Sequence, residues 1–198
     1  MPTKATTLFS LNRFKEFVKA TGASHDDPLI RIADGVSDRV ESYSNRFFVS
    51  RSVTETRSGN DTNRMQLRHY PVSAVTSAKY RFSLLDAFVV IDVPTELELD
   101  GFKGVVYLKQ LSWPKGARLV EIVYTAGFGA QDDVGVGKIP GDVFYAALEY
   151  GKLAYDRWKS DMVSVSSVSA QSAGYAVGIP DMPKDLQGIL KGYLKHRI

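Results

Sequence analysis

The sequence predicts an α+β protein, a helical bundle made of an N-terminal helix pair and long C-terminal helices, carrying an antiparallel β insertion. Three observations lead there. Apolar residues recur at helical spacing within 8–46 and again within 140–198. Between them, from 47 to 126, the pattern changes to short β-branched and aromatic runs separated by turn-forming residues. A chain of 198 residues suits one domain and can bury about 70% of its unfolded surface. The expectation is a single domain, 1–198, with a helical core at 8–46 and 140–198 and a β region at 47–126.

The first helix is expected over 10–21: Ser10 is a good N-cap, Leu11, Phe14, Phe17 and Val18 share a face, and Gly22 offers a stop. The second is expected to be capped by Asp26 or Asp27, with Pro28 in its first turn and Leu29, Ile32, Ala33, Val36, Val40 and Tyr43 as a stripe reaching Asn45. His25 reads as a loop residue beside that cap. The middle of the chain then offers about five or six strands, with Pro71 breaking the second run because proline cannot donate to a ladder. Pro140 opens a third helix whose face is Val143, Ala146, Ala147, Tyr150, Ala154 and Trp158. Its small residues, Ala146, Ala147, Gly151 and Ala154, admit either a close helix neighbour or an ordinary core contact. Ser160–Gly178, rich in Ser, Ala and Gly, reads as a loop able to order on a partner. Pro183 and Asp185 then start a last amphipathic helix.

Composition narrows the chemistry. No Cys is present, and His25, His69 and His196 are scattered, so neither a thiolate nor a His cluster is available from sequence neighbours. No apolar run reaches membrane-spanning length and the start MPTKATTLFS lacks a signal peptide's apolar core, so a soluble, unexported protein without membrane contact is expected. The net charge of +3 gives mild attraction to polyanions, but Lys and Arg are interleaved with acids.

The stretch VYTAGFGAQDDVGVGKIPGDV invites a nucleotide-binding reading and fails it. A phosphate loop needs glycine five residues before Gly137-Lys138, where Asp132 stands, and a hydroxyl residue after the lysine, where Ile139 stands. A dinucleotide fingerprint begun by Gly127 and Gly129 also ends on Asp132, beside Asp133. The stretch reads as an elbow. Glu96, Glu98 and Asp100 alternate with leucines and share one strand face, which is equally what a half-buried strand requires. Tyr70, Tyr80, Tyr107 and Tyr124 lie near Arg68, Arg81 and Lys109, a potential stacking platform that ordinary strand packing explains as well. No catalytic, cofactor-binding or metal-ligating residue is assigned, and an enzyme is not expected.

Taken in order, FKEFVKATGASHDDPLIRIADGVSDRVESYSNRFF, LRHYPVSAV, IVYTAGF and IPGDVFYAALEYGKLAYDRW resemble the helix pair, Pro-Val strand, Tyr-Thr-Ala-Gly strand end and Pro-led helix of bacteriophage head-tail connector proteins, the head completion or portal adaptor family of long-tailed phages. That resemblance implies a structural virion protein, assembled in the bacterial host cytoplasm and placed at the head–tail junction. It implies a ring, usually twelvefold, joining the portal protein to a tail or stopper protein, with packaged double-stranded DNA passing through its centre in non-specific contact. A tail-completion or tail-terminator ring is the neighbouring alternative, and a phosphate- or nucleic-acid-processing enzyme a more distant one. Composition leaves the last helix open between docking and core packing. The resemblance favours docking and points to Leu186, Ile189, Leu190, Tyr193, Leu194, Lys195 and Arg197 as portal-docking candidates.

Overall fold

The computed structural model describes residues 4–165 and 179–194. In chain order its elements are α1 (Leu11–Val18), α2 (Asp26–Ser44), β1 (Arg51–Gly59), β2 (Arg64–Gln66), β3 (Val72–Tyr80), β4 (Val89–Ile91), α3 (Val93–Glu96), β5 (Leu97–Asp100), β6 (Val105–Leu108), β7 (Gly116–Ala126), α4 (Gly141–Val165) and α5 (Lys184–Lys191). The protein is mixed α+β with antiparallel sheets, and it divides into two compact units. Residues 1–49 and 129–198 form a helical unit, and 50–128 a β unit.

In the helical unit α2 packs against α4, α1 rests on both, and α5 meets α2 and α4. Leu29, Ile32, Ala33, Val36 and Val40, the stripe expected of α2, are buried, each large side chain contributing about 1.5–3 kcal/mol. The helix ends at Asn45 in the left-handed conformation (φ 53°), as expected. α1 ends earlier than expected. Lys19, at φ 56°, makes the left-handed turn, its N–H donating to the carbonyls of Lys15 and Glu16, so Gly22 lies beyond the stop. Lys15 also reaches across the turn to Asp26 at the start of α2, at 2.6 Å.

α4 is longer than its apolar face required. It runs to Val165, through the first residues of the stretch expected to be a loop, and the rest of that loop lies outside the described residues. The expectation of long C-terminal helices is met by α4 and not by α5, which has eight residues. The small-residue line on α4 has a definite use. A Cβ at Gly151 would come within 2.9 Å of the Phe14 ring, so glycine lets the α1 phenyl lie directly on the α4 backbone. Phe9 packs against Phe14 with ring centroids 5.1 Å apart, and both are buried.

The β unit holds two sheets. The larger has strand order β1-β7-β3-β4 and the smaller β2-β6-β5. All their pairings are antiparallel. β7 is central, and its alternate residues Val120, Ile122, Tyr124 and Ala126 are buried, the period of two that a one-sided sheet demands. β3 slips register between Val72 and Ala74 and again between Val75 and Ser77, marking two bulges. The run expected from Arg64 to Arg81 is split at Pro71 into β2 and β3, as the proline argument required. Glu96 does not share a strand face with Glu98 and Asp100. It closes α3, where its carboxylate accepts the Asp92 N–H at 2.8 Å, because Pro94 and the Asp92 cap favour a helical turn there.

Candidate assembly surface

From Gly129 to Lys138 the glycine-rich loop is an elbow of the helical unit. Lys138, the cation a phosphate loop would need, is paired with Asp133 at 2.6 Å. Asp132 accepts the Ser10 N–H at 3.0 Å and donates its own N–H to the Leu8 carbonyl at 3.2 Å, while the Gln131 amide donates to the Thr7 carbonyl at 3.2 Å. Of the two aspartates that spoil a pyrophosphate site, Asp132 thus anchors the segment before α1, and Asp133 holds Lys138 within the loop. Ile139, fully buried, seats the loop before α4 begins.

The buried polar groups are likewise structural. Glu55, on β1, is only 8% exposed. Its Oε2 accepts from the Tyr124 hydroxyl at 2.7 Å and from the Arg68 N–H at 3.0 Å, and Oε1 lies 3.3 Å from Arg57 in an ion pair without hydrogen-bond alignment. Burial first, then the hydrogen bond to Glu55, pushes the Tyr124 hydroxyl well above the usual tyrosine range. Tyr124 is therefore core, not part of a stacking platform. His25 holds more than a loop position: it is the N-cap of α2, one residue before the expected cap, and Asp26 and Asp27 lie in the first turn. Its Nδ1 lies 2.7 Å from the Tyr155 hydroxyl, and its ring meets Trp158 edge-on with centroids 5.3 Å apart, tying the α1–α2 turn to α4. Among the described residues no group of three His, Cys, Asp or Glu is placed to hold a metal ion, and no helix is long and apolar enough to cross a membrane.

The portal-docking candidates separate into three sets. Leu186 and Leu190 are buried in the helical unit, on the face of α5 that meets α2 and α4. Ile189, Tyr193 and Leu194 are half-buried. Tyr193 donates to the Asp142 carboxylate at 3.1 Å and stands edge-on to Phe48, and burial followed by the Asp142 contact raises its hydroxyl pKa. Lys195 and Arg197 lie outside the described residues. The segment before α5 is pinned as well. The Tyr150 hydroxyl donates to the Pro180 carbonyl at 2.5 Å and accepts from Arg39 at 2.9 Å, and Ile179 lies so close to α2 that only the missing side chain of Gly35 admits it.

Sequence reasoning misses a different surface. In the β unit Phe82, Leu84, Leu85, Val89 and Val90 all face water, Leu85 at 97% and Val90 at 73% exposure. They run along the β3–β4 connection and onto β4, an edge strand. Phe88 anchors the loop by lying under two cations, Lys79 at 4.8 Å and Arg81 at 4.7 Å from its ring centroid. The signal is present in FSLLDAFVV, but a strand buried on one side is the simplest reading of such a run.

This is an α+β chain whose reactive-looking loop is spent on structural hydrogen bonds and whose exposed apolar side chains include a contiguous run, Phe82 to Val90, on one sheet edge, the kind of patch that marks protein–protein contact. Its family is narrower than that class: the chain belongs to the head completion protein family, whose sequence model matches residues 7–196. Its fold is similar to that of solved chains described as the neck of an empty GTA particle computed with C6 symmetry (18% identity, covering 100% of this chain and 97% of that one) and the neck of a native GTA particle computed with C12 symmetry (17% identity, covering 100% and 94%), both with a TM-score of 0.61. A chain from the virion of a native gene transfer agent particle is similar at the same TM-score of 0.61, with 18% identity over 100% of this chain and 94% of that one. No curated protein matches the sequence.

Proposed function

We propose that this protein is a structural subunit of the head–tail junction of a phage-like particle, forming a ring, expected to be twelvefold, that joins the portal protein to a tail or stopper protein and lets DNA pass through its centre. The observation that carries the reading is the family match across 7–196, nearly the whole chain, so the function belongs to the entire fold and not to a grafted site. The similarity in fold to chains of particle necks computed with C6 and C12 symmetry supports it. A ring needs heterologous contacts between identical subunits that close on themselves.

In this reading the helices act as a bundle that supports the portal-facing end. The two compact units act as one domain, giving a single transition by calorimetry; two separated transitions would contradict this. Portal docking falls to the end of α5, with Ile189, Tyr193 and Leu194 and, beyond them, Lys195 and Arg197. Leu186 and Leu190 serve by holding that end in place. Contact with DNA is weak, sequence-independent and salt-sensitive, because a conduit must let a duplex slide and backbone attraction carries no sequence preference. The protein works in the virion after assembly in the bacterial host cytoplasm.

Electron microscopy of the protein mixed with its cognate portal tests the reading. A ring of added density beneath the portal, with the portal's symmetry, is expected. Binding to tail tubes and not to portals would make it a tail-completion ring instead.

A further inference from the structure

The β unit has two unlike sides. In each sheet an early strand forms one edge and a later strand the other: β1 and β4 in the larger, β2 and β5 in the smaller. The early edges adjoin. Arg57, on β1, donates to the Gln66 carbonyl at 3.0 Å, and Glu55, on the same strand, accepts the Arg68 N–H just after β2. On the other side, the β5 end lies by β3, with the Val72 N–H donating to the Gly101 carbonyl at 2.8 Å, and α3 packs on β3 and β5.

The chemistry of the two sides is complementary. From Phe82 to Asp100, which covers the β4 loop, β4, α3 and β5, there are five acids and no Lys or Arg. The cations bordering the run are engaged, Lys79 with Glu121 at 2.8 Å, Arg81 on the Phe88 ring and Lys103 with Asp100 at 3.5 Å. Of the acids Asp86, Asp92, Glu96 and Glu98 are exposed. From Arg51 to His69, which covers β1 and β2, there are four arginines against two acids, and one of those acids, Glu55, is buried. Arg64 and Arg68 are exposed there. Leu111, half exposed, stands near them, since the Trp113 N–H donates to the Thr62 carbonyl at 2.9 Å and its indole to the Asn63 carbonyl at 3.1 Å.

We propose that neighbouring copies of this chain meet head-to-tail through the β unit, the acidic and apolar β4–α3–β5 side of one copy resting on the arginine-bearing β1–β2 side of the next. The inference rests on the ring reading above and says which surfaces close the ring. An exposed edge strand with apolar side chains and no lysine on it is an invitation to unspecific pairing, and natural proteins either blunt such an edge or cover it. The β4 edge is short, Val89–Ile91, and has Asp86 and Asp92 on either side, yet Val89 and Val90 on it remain exposed. Opposite charge on the far side of the same unit supplies a cover that a second copy carries by construction, and two different complementary faces on one subunit make a heterologous contact, the kind that closes rings.

The absence of Cys from the sequence makes a clean test. The full chain carrying both R64C and D86C is treated with a flexible bismaleimide, alone and after incubation with portal-bearing heads, beside each single variant. A ladder of chain multimers in the double variant, with no ladder in either single variant, is expected. Dimers from a single variant would mean a twofold contact and overturn the proposal. So would coupling of the D86C position to another virion protein without self-coupling, or no coupling in either setting. A second experiment does not depend on crosslinking geometry. Reversing one side, with Asp86→Arg and Glu98→Arg together, should lower the multimer fraction at least tenfold, and adding Arg64→Glu and Arg68→Glu should restore it. Failure of the fourfold variant to recover, with circular dichroism unchanged, would overturn the proposal. Whether wild-type protein joins heads at all is read separately, so a ladder without head binding would sink the neck reading and leave this contact standing.

Discussion

The helical unit and the β unit treat their apolar residues differently. In the helical unit the stripes of α2, α4 and α5 are used up by its own packing, and Leu29, Ile32, Val36, Phe144, Leu186 and Leu190 are all buried. Among the described residues Phe82, Leu84, Leu85, Val89, Val90, Phe102 and Leu111 remain exposed in the β unit, against Val136, Tyr145 and Leu153 in the helical unit. The difference shows where each unit's surplus goes. Amphipathic helices can satisfy one another within a chain, whereas a sheet edge left uncovered by its own chain offers its open groups to another strand or another protein.

The strongest way to break this comparison is at Leu190. Leu190→Ala should cost about 2–5 kcal/mol by leaving a cavity, lowering the melting temperature clearly. An unchanged melting temperature would mean that α5 is not part of the core, and would return Leu186 and Leu190 to the docking surface.

Next in size is Tyr124→Phe in the β unit. It removes the hydroxyl donor from the buried Glu55 carboxylate and should cost about 1–3 kcal/mol in denaturant unfolding. It should also change the alkaline limb. The Tyr124 hydroxyl pKa is raised in the folded state, so its contribution to stability is complete below the ordinary tyrosine value of about 10 and is lost as pH rises above it. The wild type should therefore lose stability above that pH more steeply than the phenylalanine variant. Parallel alkaline limbs would show that Tyr124 is not the group responsible.

Gly151→Ala sharpens the account of α4. Alanine improves helix propensity by about 1 kcal/mol, yet its Cβ would press on the Phe14 ring, and overpacking costs about 1–3 kcal/mol. A small net loss is expected, and a gain in stability would show that Phe14 can move aside. The smallest stability effect belongs to Leu85→Asp. At 97% exposure it should shift stability by no more than about 0.5 kcal/mol while abolishing self-association. A loss of stability comparable to that of Leu190→Ala would erase the distinction between the two regions.

Much of the helical unit is legible in the sequence. The cap at Ser10, the acidic start of α2 and its stripe to Asn45 are local signals, and local backbone and side-chain chemistry is enough to satisfy them. The split at Pro71 is legible for the same reason, since a missing N–H is a property of one residue. The end of α1 at Lys19 is not, because a left-handed turn is the usual place of glycine and nothing local marks a lysine for it ahead of Gly22. Glu96 reads as a strand residue because Leu-Glu alternation looks identical whether a short helix or a strand supplies its first member.

By itself the sequence determined the mixed α+β class, the opening helix pair, the β region and the helix after Pro140, the failure of the glycine loop as a phosphate site and the membership of a family, because each rests on residue identity at fixed spacing. Only the tertiary structure decided which apolar residues are core and which are surface. Leu85 stands in the more apolar run, FSLLDAFVV, and is exposed, whereas Leu190 stands in the more polar KDLQGILKGYL and is buried, because another part of the chain arrives to cover only the second. It also decided the use of Gly151, whose meaning lies in a phenyl ring on a helix far away in sequence. Burial is a relation between distant segments, so no local pattern can carry it.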